Sequence, residues 1–79
     1  MCSSRLLAVE AYTRSLEIRR EFEDWYGEGE TLYNLALTHR AARHPAKARA
    51  ALLRSAAAFT RANAPTEAAT AQSRADSLT

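Results

Sequence analysis

Alanine fills 18 of the 79 positions of this chain, and that abundance restricts the folds open to it. Alanine is the best helix former among the amino acids, but its small side chain contributes little burial. A chain of this length hides only about 60% of the surface that it exposes when unfolded, so its margin of stability is small. The sequence therefore predicts a helical core in which the helices lie close together.

Apolar residues recur at three- and four-residue spacing along four stretches, which is the period of a helix, and we expect no strand. The predicted helices cover about residues 4–23, 28–42, 45–62 and 66–78. Pro45 and Pro65 stand near the starts of the last two, because proline fits the first turn of a helix. Short links between long helices make neighbours antiparallel. We therefore expect one all-α domain over residues 1–79, built from helical hairpins.

Charge is distributed unevenly along the chain, although the net charge is only +2. Residues 10–30 contain seven of the nine acidic residues, whereas residues 31–66 contain six basic residues and no acidic one. One interpretation is that acidic and basic helices attract each other as neighbours. The other is that a basic face meets an acidic partner.

Motifs for catalysis or cofactor binding are not apparent. His39 and His44 are five positions apart and so lie on different helix faces, and Cys2 is remote, which argues against a metal site. Gly27 and Gly29 do not belong to a phosphate-binding loop, and no spacing of hydroxyls, histidines and acids suggests a triad. We expect no enzymatic activity, no cofactor and no metal.

With one cysteine and no apolar run of 18 residues, the chain is expected to be cytoplasmic and not to cross a membrane.

A pattern of small and large residues relates the first and third predicted helices. When the chain is shifted by 40 positions, Ala8 falls on Ala48 and Tyr12 falls on Leu52. In both helices a large residue follows the small one by four positions, and another small residue comes three positions later. Small residues let the backbone of another helix come close, and the large residue fills the space between them.

The second and third predicted helices resemble the tetratricopeptide repeat, a helical pair found in arrays. The positions that match the family's spacing are Leu32, Leu35, Ala36, Ala48, Leu52 and Ser55, with His39 in the place of an aromatic residue. The resemblance covers residues 28–62 as a full repeat, 4–23 as half of a preceding one and 66–78 as a degenerate or capping helix. The glycine usual between the paired helices is absent, and Arg49 stands where an apolar residue is usual.

The resemblance implies an α-solenoid fragment and a structural core. That core would contain Ala8, Tyr12, Leu32, Leu35, Ala36, His39, Ala48, Leu52 and Ser55. The 40-residue offset is closest to the longer variety of these repeats, found in bacterial multi-domain regulators. Ten arginines against one lysine also suggest a GC-rich bacterial genome.

In such repeats the first helix of the pair lines the inner surface, where it would present Glu30, Tyr33, Asn34, Leu37 and Arg40. The amide of Asn34 offers an acceptor and two donors, enough to hold one peptide unit of an extended ligand. Tyr33 adds flat apolar area, and Arg40 can bind a carboxylate through two hydrogen bonds. The alternative is that Asn34 bonds a neighbouring helix or faces water.

The predicted function is a non-catalytic protein–protein interaction scaffold that binds a peptide or a partner helix, within a larger regulatory protein. Two alternatives stay open. The first is self-association as a homodimer through a stripe formed by Leu6, Val9, Tyr12 and Leu16, because repeat arrays normally need at least three units. The second is nucleic-acid binding by the acid-free stretch, which is disfavoured because few aromatic residues accompany it.

Overall fold

The computed structural model describes residues 2–78, with side chains from residue 7 onward. It consists of four helices: α1 Cys2–Glu21, α2 Trp25–Ala41, α3 Pro45–Arg61 and α4 Pro65–Asp76. The described residues contain no strand, so the predicted all-α architecture of about four helices is confirmed. Leu6, which we placed in the first apolar stripe, lies outside the described side chains.

The three turns between helices share one backbone structure. In each, a residue with positive φ follows the helix end: Glu23 at 53°, Arg43 at 62° and Asn63 at 57°. The next backbone N–H then donates to a carbonyl five positions back, as from His44 N to His39 O at 2.8 Å. This is the Schellman arrangement, which satisfies carbonyls left free at a helix end. The turns recur every 20 residues, so the 40-residue offset of the sequence spans two helices with their turns.

The start of α2 lies three residues earlier than predicted. Asp24 is the cause, because its Oδ1 accepts a hydrogen bond from the backbone N–H of Gly27 at 3.0 Å and so caps the helix. Trp25 and Tyr26, which precede the predicted start, are consequently helical residues. Every other helix boundary lies within two residues of its predicted position.

The four helices lie side by side in a thin arrangement, whose Cα atoms extend over 37 × 30 × 13 Å. Each helix packs chiefly on its neighbours in the chain: α1 on α2, α2 on α3, and α3 on α4. The helices α2 and α4 therefore both pack on α3. Their side chains also meet directly, since Tyr26 of α2 is hydrogen-bonded to Glu67 of α4.

Two apolar clusters hold the helices together. The first joins α1 to α2 and consists of Leu16, Leu32 and Leu35, with Val9 and Tyr12 packed against them. The second joins α2, α3 and α4 and consists of Ala36, Ala51, Leu52 and Ala75, with Tyr33, Leu53 and Leu78 against them. A buried leucine contributes roughly 1.5–3 kcal/mol, and an alanine side chain buries far less area. The second cluster thus depends on close approach of the helices more than on large side chains.

Burial separates the predicted core residues into two groups. The residues of α2 and α3 at its centre are buried: Leu32, Leu35, Ala36, Ala48, Leu52 and Ser55. Ala8, Tyr12 and His39 are only half-buried. Ala8 and Tyr12 belong to α1, which packs chiefly on α2. Partial burial, together with the positive charges of Lys47 and His44, lowers the pKa of His39 below its ordinary value of 6.5.

The uneven charge distribution is not neutralised by ion pairs between acidic and basic helices. The ion pairs join α1 to the start of α2 within the acidic segment: Arg19 Nη1 to Asp24 Oδ2 at 2.7 Å, and Arg20 Nε to Glu28 Oε1 at 2.8 Å. Among the described side chains, no ion pair connects residues 10–30 with residues 31–66. The first interpretation of the charge pattern therefore has no direct contact to support it.

Candidate partner-binding cleft

A cleft of about 270 Å³ lies between α2 and α4, and we call it the α2–α4 cleft. Its lining comes from three helices: Tyr26, Glu30, Tyr33 and Asn34 of α2, Phe59 of α3, and Thr66, Glu67 and Thr70 of α4. One wall is therefore aromatic and amide-bearing, and the other is polar and begins at the first turn of α4. The end of α3 forms the floor.

The floor of the cleft is positioned by a close approach between α2 and α3. Gly29 makes this possible, because a Cβ there would lie only 2.8 Å from Cδ1 of Phe59. Ser55, which is fully buried, donates a hydrogen bond from Oγ to the Gly29 carbonyl oxygen at 2.7 Å. Tyr26 packs edge-on against Phe59, with ring centroids 5.2 Å apart and planes at 70°. The Phe59 ring is thus held between two turns of α2.

A hydrogen bond connects the two walls at one end of the cleft. The hydroxyl of Tyr26 donates to Oε2 of Glu67 at 2.9 Å. This bond and the negative charge of the carboxylate raise the pKa of Tyr26 above its ordinary value, because an ionised phenol would lose the bond and face a like charge. On another part of the α2 wall, the guanidinium of Arg74 lies 5.9 Å from the centre of the Tyr33 ring.

Three of the five residues predicted to bind a partner line this cleft: Glu30, Tyr33 and Asn34. Leu37 and Arg40 lie farther along α2 and are not part of the lining. The cleft is bounded by the first two turns of α4, so only the α2 residues level with those turns contribute to it.

Asn34 is exposed, and its side-chain amide makes no hydrogen bond to any described residue. Its backbone takes part in the helix, and its carbonyl also accepts a hydrogen bond from the Thr38 hydroxyl at 3.1 Å. Of the two alternatives for Asn34, a bond to a neighbouring helix is therefore wrong. The amide is open to solvent or to a ligand in the cleft.

Two residues that complete the cleft, Tyr26 and Glu67, were not predicted to belong to it. Tyr26 lies before the predicted start of the second helix, whereas the Asp24 cap makes it the second residue of α2. Glu67 was overlooked because α4 has no large apolar periodicity. The one available signal was the stretch Pro65-Thr66-Glu67, since proline followed closely by an acidic residue is typical of a helix start.

A second exposed surface lies on the side of α1 that faces away from α2, and we call it the outer face of α1. Large apolar side chains stand out on it: Leu7 is 63% exposed, Ile18 50% and Phe22 76%. The stripe predicted for self-association is not this one. Leu16 is buried against α2, and Val9 and Tyr12 pack beside it, so that stripe joins α1 to α2.

Other kinds of site find little support in the described part of the chain. No group of three or more His, Cys, Asp or Glu residues comes together there in a way that would hold a metal ion. None of its helices is long and apolar enough to cross a membrane.

Arg49, which stands where the repeat usually has an apolar residue, is half-buried, and its Nε is buried without a hydrogen-bond partner.

Comparison of the chain with protein-family models, with curated proteins and with solved structures gave no match. The geometry of the molecule itself therefore carries the functional argument.

Proposed function

We propose that this protein is a non-catalytic protein–protein interaction module that holds a peptide segment or a partner helix in the α2–α4 cleft. The observation that carries the proposal is the open amide of Asn34 beside the Tyr33 ring, in a cleft whose floor is the held ring of Phe59. An amide binds peptide groups, and an aromatic ring supplies flat apolar area at low entropic cost.

The tetratricopeptide-like organisation is part of the proposal. Supporting it are the burial of the small residues Ala36, Ala48 and Ser55 where α2 and α3 meet, and the position of α2 and α4 on a shared side of α3. The 20-residue spacing of the turns agrees with a long repeat of about 40 residues for each helical pair. A cytoplasmic bacterial regulator is the setting that composition and this resemblance favour.

The cleft by itself is too small for a tight interface. Specific interfaces bury about 800 Å² on each partner. A partner would therefore also contact neighbouring exposed residues of α2, including Leu37 and Arg40. This gives the two remaining predicted residues a role at the edge of the binding surface.

Selection from a displayed library of random 12-residue peptides tests the proposal. We expect the purified protein to enrich a set of related peptides. Asn34→Ala should weaken their binding while leaving the helical circular dichroism signal unchanged. The matched control is Glu17→Ala, an exposed change on α1 that should leave binding intact. Absence of any enriched peptide, or equal binding by the Asn34 variant, would contradict the proposal.

Self-association is the second candidate, and the outer face of α1 is the observation that favours it. Leu7, Ile18 and Phe22 would be covered by a second copy of the chain. Full burial of a leucine-sized side chain is worth roughly 1.5–3 kcal/mol, so covering all three would stabilise a dimer appreciably. Sedimentation equilibrium should then show a dimer that Phe22→Ser converts to a monomer. A wild-type chain that stays monomeric at all concentrations would exclude this candidate.

A further inference from the structure

Charge is the property of the α2–α4 cleft that the proposed function leaves unexplained. Two ionisable acids line it, Glu30 and Glu67, and no arginine or lysine among the described residues does. Neither carboxylate belongs to an ion pair within the described residues. We propose that the group that enters the cleft is a cationic side chain, arginine or lysine, of the partner segment. This inference rests on the proposed function, because it names the chemistry of the partner at the same site.

The helix ends do not cancel the negative charge of the cleft. Tyr26 stands in the first turn of α2, and Thr66 and Glu67 stand in the first turn of α4, so two helix N-termini border it. Each N-terminus acts as about half a positive elementary charge, and two therefore offset about one of the two carboxylate charges. The lining residues therefore keep a net negative charge, which a guanidinium or ammonium group would offset.

Two arginine side chains lie against aromatic rings of α2, and one of these rings, Tyr33, also lines the cleft. The Arg61 guanidinium lies 4.7 Å from the centre of the Trp25 ring, and that of Arg74 lies 5.9 Å from the centre of the Tyr33 ring. Neither residue lines the cleft. These two contacts also show that aromatic rings of α2 already hold guanidinium groups from the protein itself.

The aromatic rings of the cleft can also bind a cation, in addition to its carboxylates. Tyr26, Tyr33 and Phe59 contribute to the lining, and the face of an aromatic ring attracts a cation within about 6 Å of its centre. A carboxylate opposite an aromatic wall gives a guanidinium both a hydrogen-bond acceptor and a flat surface. The carbonyl of the Asn34 amide offers a second acceptor.

An acidic partner segment fits this cleft poorly. Arg40, the residue that we expected to bind a carboxylate, lies outside the lining. A carboxylate inside the cleft would face Glu30 and Glu67, and like charges at close range repel each other. The basic residues of the acid-free stretch are thus not the determinants of what enters here.

The test uses three small probes in nuclear magnetic resonance titrations of the intact protein: N-acetyl-arginine amide, the neutral isostere N-acetyl-citrulline amide, and N-acetyl-glutamate amide. We expect the arginine probe to shift the backbone amides of Glu30, Asn34, Glu67 and Thr70, and the other two to leave them in place. The arginine shifts should decrease as salt is added, because exposed charges are screened. Equal shifts by citrulline, or stronger shifts by the glutamate probe, would overturn the inference.

Glu67→Gln provides the matched variant. Glutamine keeps an oxygen that accepts the Tyr26 hydrogen bond, so the cleft should retain its shape while it loses one charge. We expect about two- to fivefold weaker binding of the arginine probe, the range of an exposed ion pair. Glu17→Gln, an exposed change on α1, should bind the probe as the wild type does. Unchanged affinity in Glu67→Gln would contradict the inference.

Peptide selection separates the failure of this inference from the failure of the proposed function. If the selected peptides need Asn34 but are not enriched in arginine or lysine, the cleft binds peptides without a cationic anchor, and only this inference fails. If no peptide is selected, both fail. Enrichment of basic residues that disappears when the library is selected on Glu67→Gln supports both.

Discussion

Replacement of Gly29 by alanine is expected to destabilise the protein, although the same change inside an exposed helix is stabilising. Alanine is favoured over glycine in a helix interior by about 0.5–1 kcal/mol. Here, however, the new Cβ would lie 2.8 Å from Cδ1 and 2.9 Å from Cγ of Phe59. Both atoms are close to the point where the ring is attached, so the ring or a helix must move. Overpacking of this kind costs about 1–3 kcal/mol, so the middles of the two ranges leave a net loss of about 1 kcal/mol.

Thermal unfolding followed by circular dichroism measures this loss. For a domain of this size, about 1 kcal/mol corresponds to a fall of roughly 4–8 °C in Tm. The control is a double-mutant cycle with Phe59→Ala, which takes away the atoms that the new methyl group meets. In that background Gly29→Ala should be neutral or stabilising. A rise in Tm when Gly29→Ala is made alone would show that α2 and α3 are not this close and that the cleft floor is built differently.

Three further predictions concern the turns, the seam between helices and pH. Arg43→Gly should stabilise the fold by about 1 kcal/mol, because Arg43 has a φ of 62° and only glycine adopts this region without steric cost. Asn63→Gly should stabilise it less, since asparagine tolerates positive φ better than arginine does. Equal rises in Tm for the two variants would contradict the prediction. Arg49→Met should raise the free energy of unfolding by about 1 kcal/mol, because it removes a buried Nε that has no hydrogen-bond partner. The control Arg54→Met changes an exposed residue and should alter that free energy little. Denaturant titration measures both values, and a larger gain from Arg54→Met would contradict the prediction. The lowered pKa of His39 means that the folded state favours the neutral imidazole, so its contribution to stability is present above pH 6.5 and is lost as the pH falls through the folded pKa. His39→Gln should therefore flatten the dependence of Tm on pH in that window. An unchanged profile of Tm against pH would refute this prediction.

Much of the fold could be predicted because local sequence signals determine it. Pro45 and Pro65 mark helix starts through their fixed φ and missing N–H, and both helices begin there. Asp24 is a good capping residue, yet α2 was predicted to begin at residue 28, three residues after its actual start. The positive φ of Arg43 has no local signal, since arginine has no preference for that region.

The candidate site could be predicted only on the helix whose face the sequence defines. Glu30, Tyr33 and Asn34 share a face of α2 at helical spacing, and their place in the cleft follows from that spacing. Tyr26 and Glu67 complete the cleft through a contact 41 positions apart in the chain. The position of α4 depends on Ala71 and Ala75, which are both fully buried, and alanines carry no periodic signal in an alanine-rich chain.

The self-association prediction shows the same limit. Apolar residues of α1 occupy two faces, and the sequence alone does not show which face α2 covers. Leu16 turns out to be buried against α2, which leaves Ile18 and Phe22 exposed on the other side. The choice between the two faces is made by tertiary packing.

The most direct test of the central claim is to map where a selected peptide binds, by following the backbone amide resonances of the intact protein during titration. The account predicts that the largest shifts fall on Glu30, Asn34, Glu67 and Thr70, on both walls of the α2–α4 cleft. Shifts confined to Ile18 and Phe22 on the outer face of α1, with the cleft resonances unmoved, would contradict it.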